Sequence, residues 1–222
     1  IGKSALSADT LGSKSIAIGL GTLQSQNFTT ATDSFNTAVG HGVGASITTG
    51  TFNTLIGGEA GDAITTGGDN VHIGYLSGSA ATDSNHNTSV GSHSLAVNTG
   101  GQNTAVGRDA LAANTSASFN TAVGRSALSA NTEGNRNVAV GKDAMRANTL
   151  GSRNVAVGES ALDALNLTTA TDSYNIGVGY FAGGSMTTGI YNVLIGGLAG
   201  DALTDADFNV ALGTNSLSTN VL

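Results

Sequence analysis

The chain has 222 residues, 33 of them glycine, with no proline, cysteine or tryptophan, and only 10% of its residues are charged, against about a quarter in an ordinary soluble domain. A formal net charge of −7, with the 8 basic residues forming no cluster, excludes the Lys and Arg patches that a phosphate backbone requires, so no nucleic-acid partner is expected. Without cysteine there are no disulfides or thiolate metal sites, and no apolar run reaches the length of a membrane span, so no membrane insertion by this segment is expected.

Read from the N-terminus, the chain repeats one anchor motif: an Asn, two small or apolar residues, a branched aliphatic residue, then Gly. The anchor glycines are Gly2, Gly19, Gly40, Gly57, Gly74, Gly91, Gly107, Gly124, Gly141, Gly158, Gly179, Gly196 and Gly213. They are spaced by 17 residues in nine cases, by 16 once and by 21 twice. Both 21-residue intervals carry the same insertion, Thr29-Thr30-Ala31-Thr32-Asp33-Ser34 and Thr168-Thr169-Ala170-Thr171-Asp172-Ser173. Residues 1–83 reappear as 140–222, a shift of 139, so a long period lies above the short one. Both ends fall inside a repeat, and the chain is read as a single repeat domain over 1–222, a window on a longer fibre.

Each unit holds two strand-sized pieces. The first is the anchor, as in Asn120-Thr121-Ala122-Val123-Gly124. The second follows three or four residues later and has two forms. In one, Ala-Leu precedes Asn-Thr, at Leu95, Leu111, Leu128 and Met145. In the other, Gly takes that place and an aliphatic residue comes three positions on, at Ile47, Ile64 and Met186. Short alternation, Gly- and Asn-rich turns and abundant Thr and Val favour strands over helices. The expected fold is all-β: a parallel β-roll or β-solenoid of about thirteen 17-residue coils, about 60 Å long at ~4.8 Å per coil.

Successive side chains on a strand face opposite ways. The residue before the anchor Gly is expected to point inward and to stack as a core, as Val39, Ile56, Ile73, Val90, Val106, Val123, Val140, Val157, Val178, Ile195 and Leu212. Burying each would be worth about 1.5–3 kcal/mol. The residue one place earlier then points outward, as Ala38, Leu55, Ala105, Ala122, Ala139, Ala156, Leu194 and Ala211, with His72 and Ser89 as polar exceptions. A strand that is apolar on both faces asks for cover on both, so the outer row predicts another subunit. The anchor asparagines, Asn36, Asn53, Asn70, Asn87, Asn103, Asn120, Asn137, Asn154, Asn175, Asn192 and Asn209, occur once per coil at one turn position and predict a structural Asn ladder. The anchor glycines are read as turns needing positive φ or a close backbone approach.

The Asn-x-Ala-Val/Ile-Gly repeat followed by a Ser/Ala-Leu piece resembles the head repeats of trimeric autotransporter adhesins, and similar repeats occur in phage tail-fibre and other virion fibre proteins. The resemblance covers essentially the whole chain, although these units are longer than autotransporter head repeats tend to be. It implies a left-handed parallel β-roll built as a homotrimer around the rod axis, which would cover the outer apolar row. It also implies an extracellular location, on a bacterial cell surface or a virion, and a role in reaching and binding surfaces.

No catalysis is expected. His41, His72, His86 and His93 sit in unrelated contexts, and no nucleophile elbow, paired catalytic carboxylates or metal-ligand spacing appears, so no catalytic, cofactor or metal residues are assigned. The segments Gly57-Gly58-Glu59-Ala60-Gly61-Asp62 and Gly196-Gly197-Leu198-Ala199-Gly200-Asp201 have some likeness to calcium-binding β-roll repeats but lack their nine-residue period. Thr-Thr pairs at Thr48, Thr65 and Thr187 do not persist through consecutive coils as an ice-binding array would. The expected function is a rigid shaft or head supporting attachment to a host or substratum, its partner being itself and, if adhesive, a host-surface receptor or glycan. A free-standing solenoid binding ice or cations, or a self-assembling extracellular filament, is the alternative. Phe28, Phe35 and Tyr174, in or beside the insertions, form the candidate contact patch; the competing reading is that they cap the core where the coil widens.

Overall fold

Every complete anchor becomes a three-residue strand, from Ile16–Ile18 to Val210–Leu212, in a computed structural model that describes residues 1–218. Twelve such strands pair in chain order into one continuous parallel sheet. Each residue pairs with its copy one coil away, as Thr121 with Val138, Ala122 with Ala139 and Val123 with Val140. The described residues contain no helix, and the chain is a β-solenoid. Its sheet has twelve strands, not thirteen, because the first anchor is present only as Ile1 and Gly2. The Ile1 carbonyl still accepts the Gly19 N–H at 2.8 Å, but no strand forms there.

The two insertions build the remaining sheet structure. Thr32–Asp33 pairs in parallel with Gly12–Ser13, and Thr171–Asp172 with Gly151–Ser152. The long period of the sequence is therefore also a structural one, although the last four residues of the 140–222 copy lie outside the described residues.

The strands are inverted relative to the expectation from the sequence. Ala38, Leu55, His72, Ser89, Ala105, Ala122, Ala139, Ala156, Leu194 and Ala211 are the buried members of their strands. The row assigned to the core, Val39, Ile56, Ile73, Val90, Val106, Val123, Val140, Val157, Val178, Ile195 and Leu212, faces outward, with Ile56 38% and Val123 36% exposed. The reason is the width of the coil. The interior is closed from the opposite wall by Leu95, Leu111, Leu128, Met145 and Leu162, each fully buried, leaving room for only a small residue on the strand. Where the strand does carry a large residue, the opposite wall has Gly. Leu55 faces Gly61 and Leu194 faces Gly200, and a Cβ on either glycine would stand about 3 Å from leucine methyl groups. At Gly177 the strand itself gives way, because a Cβ there would meet the Leu162 side chain at 2.8 Å.

Ladders of polar side chains join the coils. At each anchor Asn the Oδ1 accepts the backbone N–H of the anchor Asn in the next coil, unbroken from Asn36 to Asn209, at 2.9–3.2 Å. Most of these amides also donate across the corner to a backbone carbonyl, as Asn120 does to Gly134 at 2.9 Å. A second buried ladder, not foreseen from the sequence, runs through Asn98, Asn114, Asn131 and Asn148, in which Nδ2 of Asn114, Asn131 and Asn148 each donates to the Oδ1 one coil before. It stops where Leu165 takes the next position, and Asn148 Oδ1 is left without a partner. On the surface, Thr48, Thr65, Thr99, Thr115, Thr132 and Thr187 donate their hydroxyls to the carbonyl of the threonine one coil on.

Candidate interaction surfaces

Among the described residues there is no enclosed cavity, and no group of three or more His, Cys, Asp or Glu converges. What the coil offers is columns of side chains running the length of the rod. In the glycine–aspartate segments, Asp62 Oδ1 and Asp201 Oδ1 are buried without a partner, and burial pushes the Asp62 carboxyl up from its ordinary value.

The largest surface is the outer face of the twelve-stranded sheet. The first and third residues of every strand face out, so two parallel rows run along the rod. The third-position row is Val, Ile or Leu throughout, and the first-position row is Val, Ile or Thr; neither contains a charged residue. Such an uncharged strip extends about 55 Å at the usual strand spacing. Its residues are half-buried in mid-rod and more exposed towards the ends, at Ile16, Ile18, Val210 and Leu212.

The second surface is the column immediately before the anchor Asn. Each residue here has a left-handed backbone, φ 50 at Phe35 and Tyr174 and φ 64 at Phe119, a conformation that costs a non-glycine residue about 1–2 kcal/mol. In most of them the N–H is fixed to the preceding coil, as from Phe52 to the Ser34 carbonyl at 2.8 Å and from Tyr191 to that of Ser173 at 2.7 Å. Side chains are thereby held one coil apart and stack. The Phe35 and Phe52 ring centroids are 5.4 Å apart, Tyr174 and Tyr191 5.6 Å, and Tyr191 and Phe208 5.0 Å, all nearly parallel. A cation covers the lower ring of both stacks: Lys14 lies 5.0 Å from the Phe35 centroid and Arg153 5.7 Å from that of Tyr174. Each cation is paired with the insertion's aspartate, Lys14 with Asp33 at 2.6 Å and Arg153 with Asp172 at 2.8 Å. The hydrogen bonds from Lys14 and Ser13 hold the Asp33 carboxyl below its ordinary value.

Of the proposed contact patch, Phe35 and Tyr174 are therefore exposed and Phe28 is not: at 6% exposure it is a buried core residue. Phe35, Tyr174 and Tyr191 have both faces occupied and present edges and, in the tyrosines, hydroxyls, whereas Phe52 and Phe208 end their stacks and are more exposed. Replacing Tyr191, stacked on both sides, by Ala is expected to lower the unfolding free energy by about 1–2 kcal/mol in urea titration.

No protein-family model matches the chain, and no curated protein or solved structure matches it either. Fold and surfaces alone define it as a β-solenoid repeat protein.

Proposed function

We propose that the chain is a rigid shaft or head segment of an extracellular attachment fibre, carried on a bacterial cell surface or a virion and assembled as a parallel homotrimer. The observation that supports this most is the outer face of the sheet, two rows of Val, Ile, Leu and Thr without a charge over twelve strands. An apolar strip of that length is a binding surface on soluble proteins. Its rows repeat at the strand spacing, so a partner that matches every row needs the same repeat, which a second and third copy in register provide. The likeness of the anchor repeat to autotransporter head and virion fibre repeats points the same way. The stacked aromatics and their cations, present at two levels and three times over in a trimer, supply edges and charges for a receptor or glycan, with avidity from the multiple copies.

Ice binding has less in its favour. The surface Thr column spends its hydroxyl protons between coils, and the outward first position carries Thr only at Thr37, Thr54, Thr88, Thr104 and Thr121. The test of the assembly is a triple substitution, Val106→Glu, Val123→Glu and Val140→Glu, compared with the unaltered chain. These outward positions leave the coil interior alone, so the β circular dichroism is expected to persist while association weakens at least ~100-fold from buried, unpaired charge. An unchanged oligomer in the triple variant refutes the assignment of this face.

A further inference from the structure

The apolar interior of the rod is interrupted at one level. Buried aliphatic side chains form one cluster from Ala17 to Ala81 and another from Leu95 to Ala211. Between them lie His72, Ser77, Ser89 and Ser94, all fully buried. His72 Nδ1 is 2.6 Å from Ser89 Oγ, and Ser77 Oγ is hydrogen-bonded to Ser89 Oγ and, at 3.1 Å, to Ser94 Oγ. His72 Nε2 has no partner. The ring is tightly enclosed, since a Cβ on Gly78 would stand 2.5 Å from it. The coils on either side fill the same level with Leu55 and Leu95.

We infer that this level is an acid-labile seam, at which protonation of His72 opens the rod around residues 70–98 while the apolar segments on either side stay folded. Whichever tautomer the neutral ring adopts, the protonated one carries an N–H at Nε2 with nothing to receive it, in a site without water-sized space. The other ionisable groups of this coil and of the two packed against it are Glu59, Asp62, Asp69, Tyr75, Asp83, His86 and His93. All are half-buried or exposed, and none pairs with the ring. Burial lowers the His72 pKa from 6.5 to about 4. A histidine kept neutral in the fold takes up its proton more readily once the site opens. Its effect is absent above pH ~6.5, grows as pH falls and levels off below about 4. Between pH 7 and pH 4.5 the local opening constant should rise roughly fiftyfold.

Hydrogen exchange of the full chain by mass spectrometry, corrected for the intrinsic pH dependence of the rate, tests this. Protection across residues 71–98 is expected to fall by roughly fiftyfold from pH 7 to pH 4.5, while residues 121–157 change by less than about threefold. His72→Leu, which copies the arrangement of Leu55 against Gly61, should abolish the difference; His72→Gln serves if the Leu variant does not fold. Uniform loss of protection, fraying from the ends alone, or the same loss in the neutral variant overturns the inference.

Discussion

Gly124→Ala should destabilise the rod by at least about 3 kcal/mol, a large effect for the addition of one methyl group. The anchor glycine has φ +138, where side chains are strained, and a Cβ would stand 2.4 Å from the Gly141 carbonyl oxygen of the next coil. That oxygen belongs to backbone held by the pairing of Thr121–Val123 with Val138–Val140, so it cannot move without breaking the sheet between them. The same geometry recurs at Gly107, Gly141, Gly158 and Gly179, which is why the position is Gly in every anchor. Gly197, one residue beyond an anchor, is the control: a Cβ there meets nothing within 4 Å, and Gly197→Ala should change the urea midpoint little. Equal effects from the two substitutions would refute the close-approach explanation.

Asn120→Ala is expected to cost about 3 kcal/mol in the same titration. The side chain accepts the Asn137 N–H at 2.9 Å and donates to the Gly134 carbonyl at 2.9 Å, in a buried corner. Its removal leaves the buried Asn137 N–H without an acceptor, at about 1–3 kcal/mol, and takes one of two donors from the Gly134 carbonyl, which keeps Asn131 Nδ2 at 3.0 Å, at about 1 kcal/mol more. Thr132→Val removes one bond in the partly exposed threonine column and should cost less than about 1 kcal/mol. In a solenoid each coil contacts only its neighbours, so the Asn120 defect should weaken the coils on either side of it before distant ones.

The repeat, the parallel coil and the Asn ladder were legible because each is written in the 17-residue period itself. The inside and outside of the strand were not. Alternation reveals two faces, and with Ala on one and Val on the other both are apolar, so size alone favours the wrong one. The signal that decides it spans two positions in the unit: Leu55 with Gly61, His72 with Gly78 and Leu194 with Gly200, against Ala122 with Leu128 and Ala139 with Met145. Large residues alternate between the two walls because the coil has space for one. His72, which reads as an exposed exception if the alanine row faces out, is by the same logic fully buried. The aromatic column was also visible, since Phe35, Phe52, Phe119, Tyr174, Tyr191 and Phe208 all precede an anchor Asn. Closeness to the insertion instead brings in Phe28, which is buried. The ladder of Asn98, Asn114, Asn131 and Asn148 is written in the Ala-Leu form of the second piece, but an Asn near a turn does not by itself announce that it is buried.

The measurement that bears most directly on the proposed fibre is the mass of the soluble chain by size exclusion with light scattering, taken with its far-UV circular dichroism. A β-rich particle near three times 21.8 kDa is the predicted result, with the Val and Ile rows of the sheet at its centre. A folded particle of 21.8 kDa, stable as a monomer at the same concentration, would contradict the trimer and leave the apolar strip without the partner proposed for it.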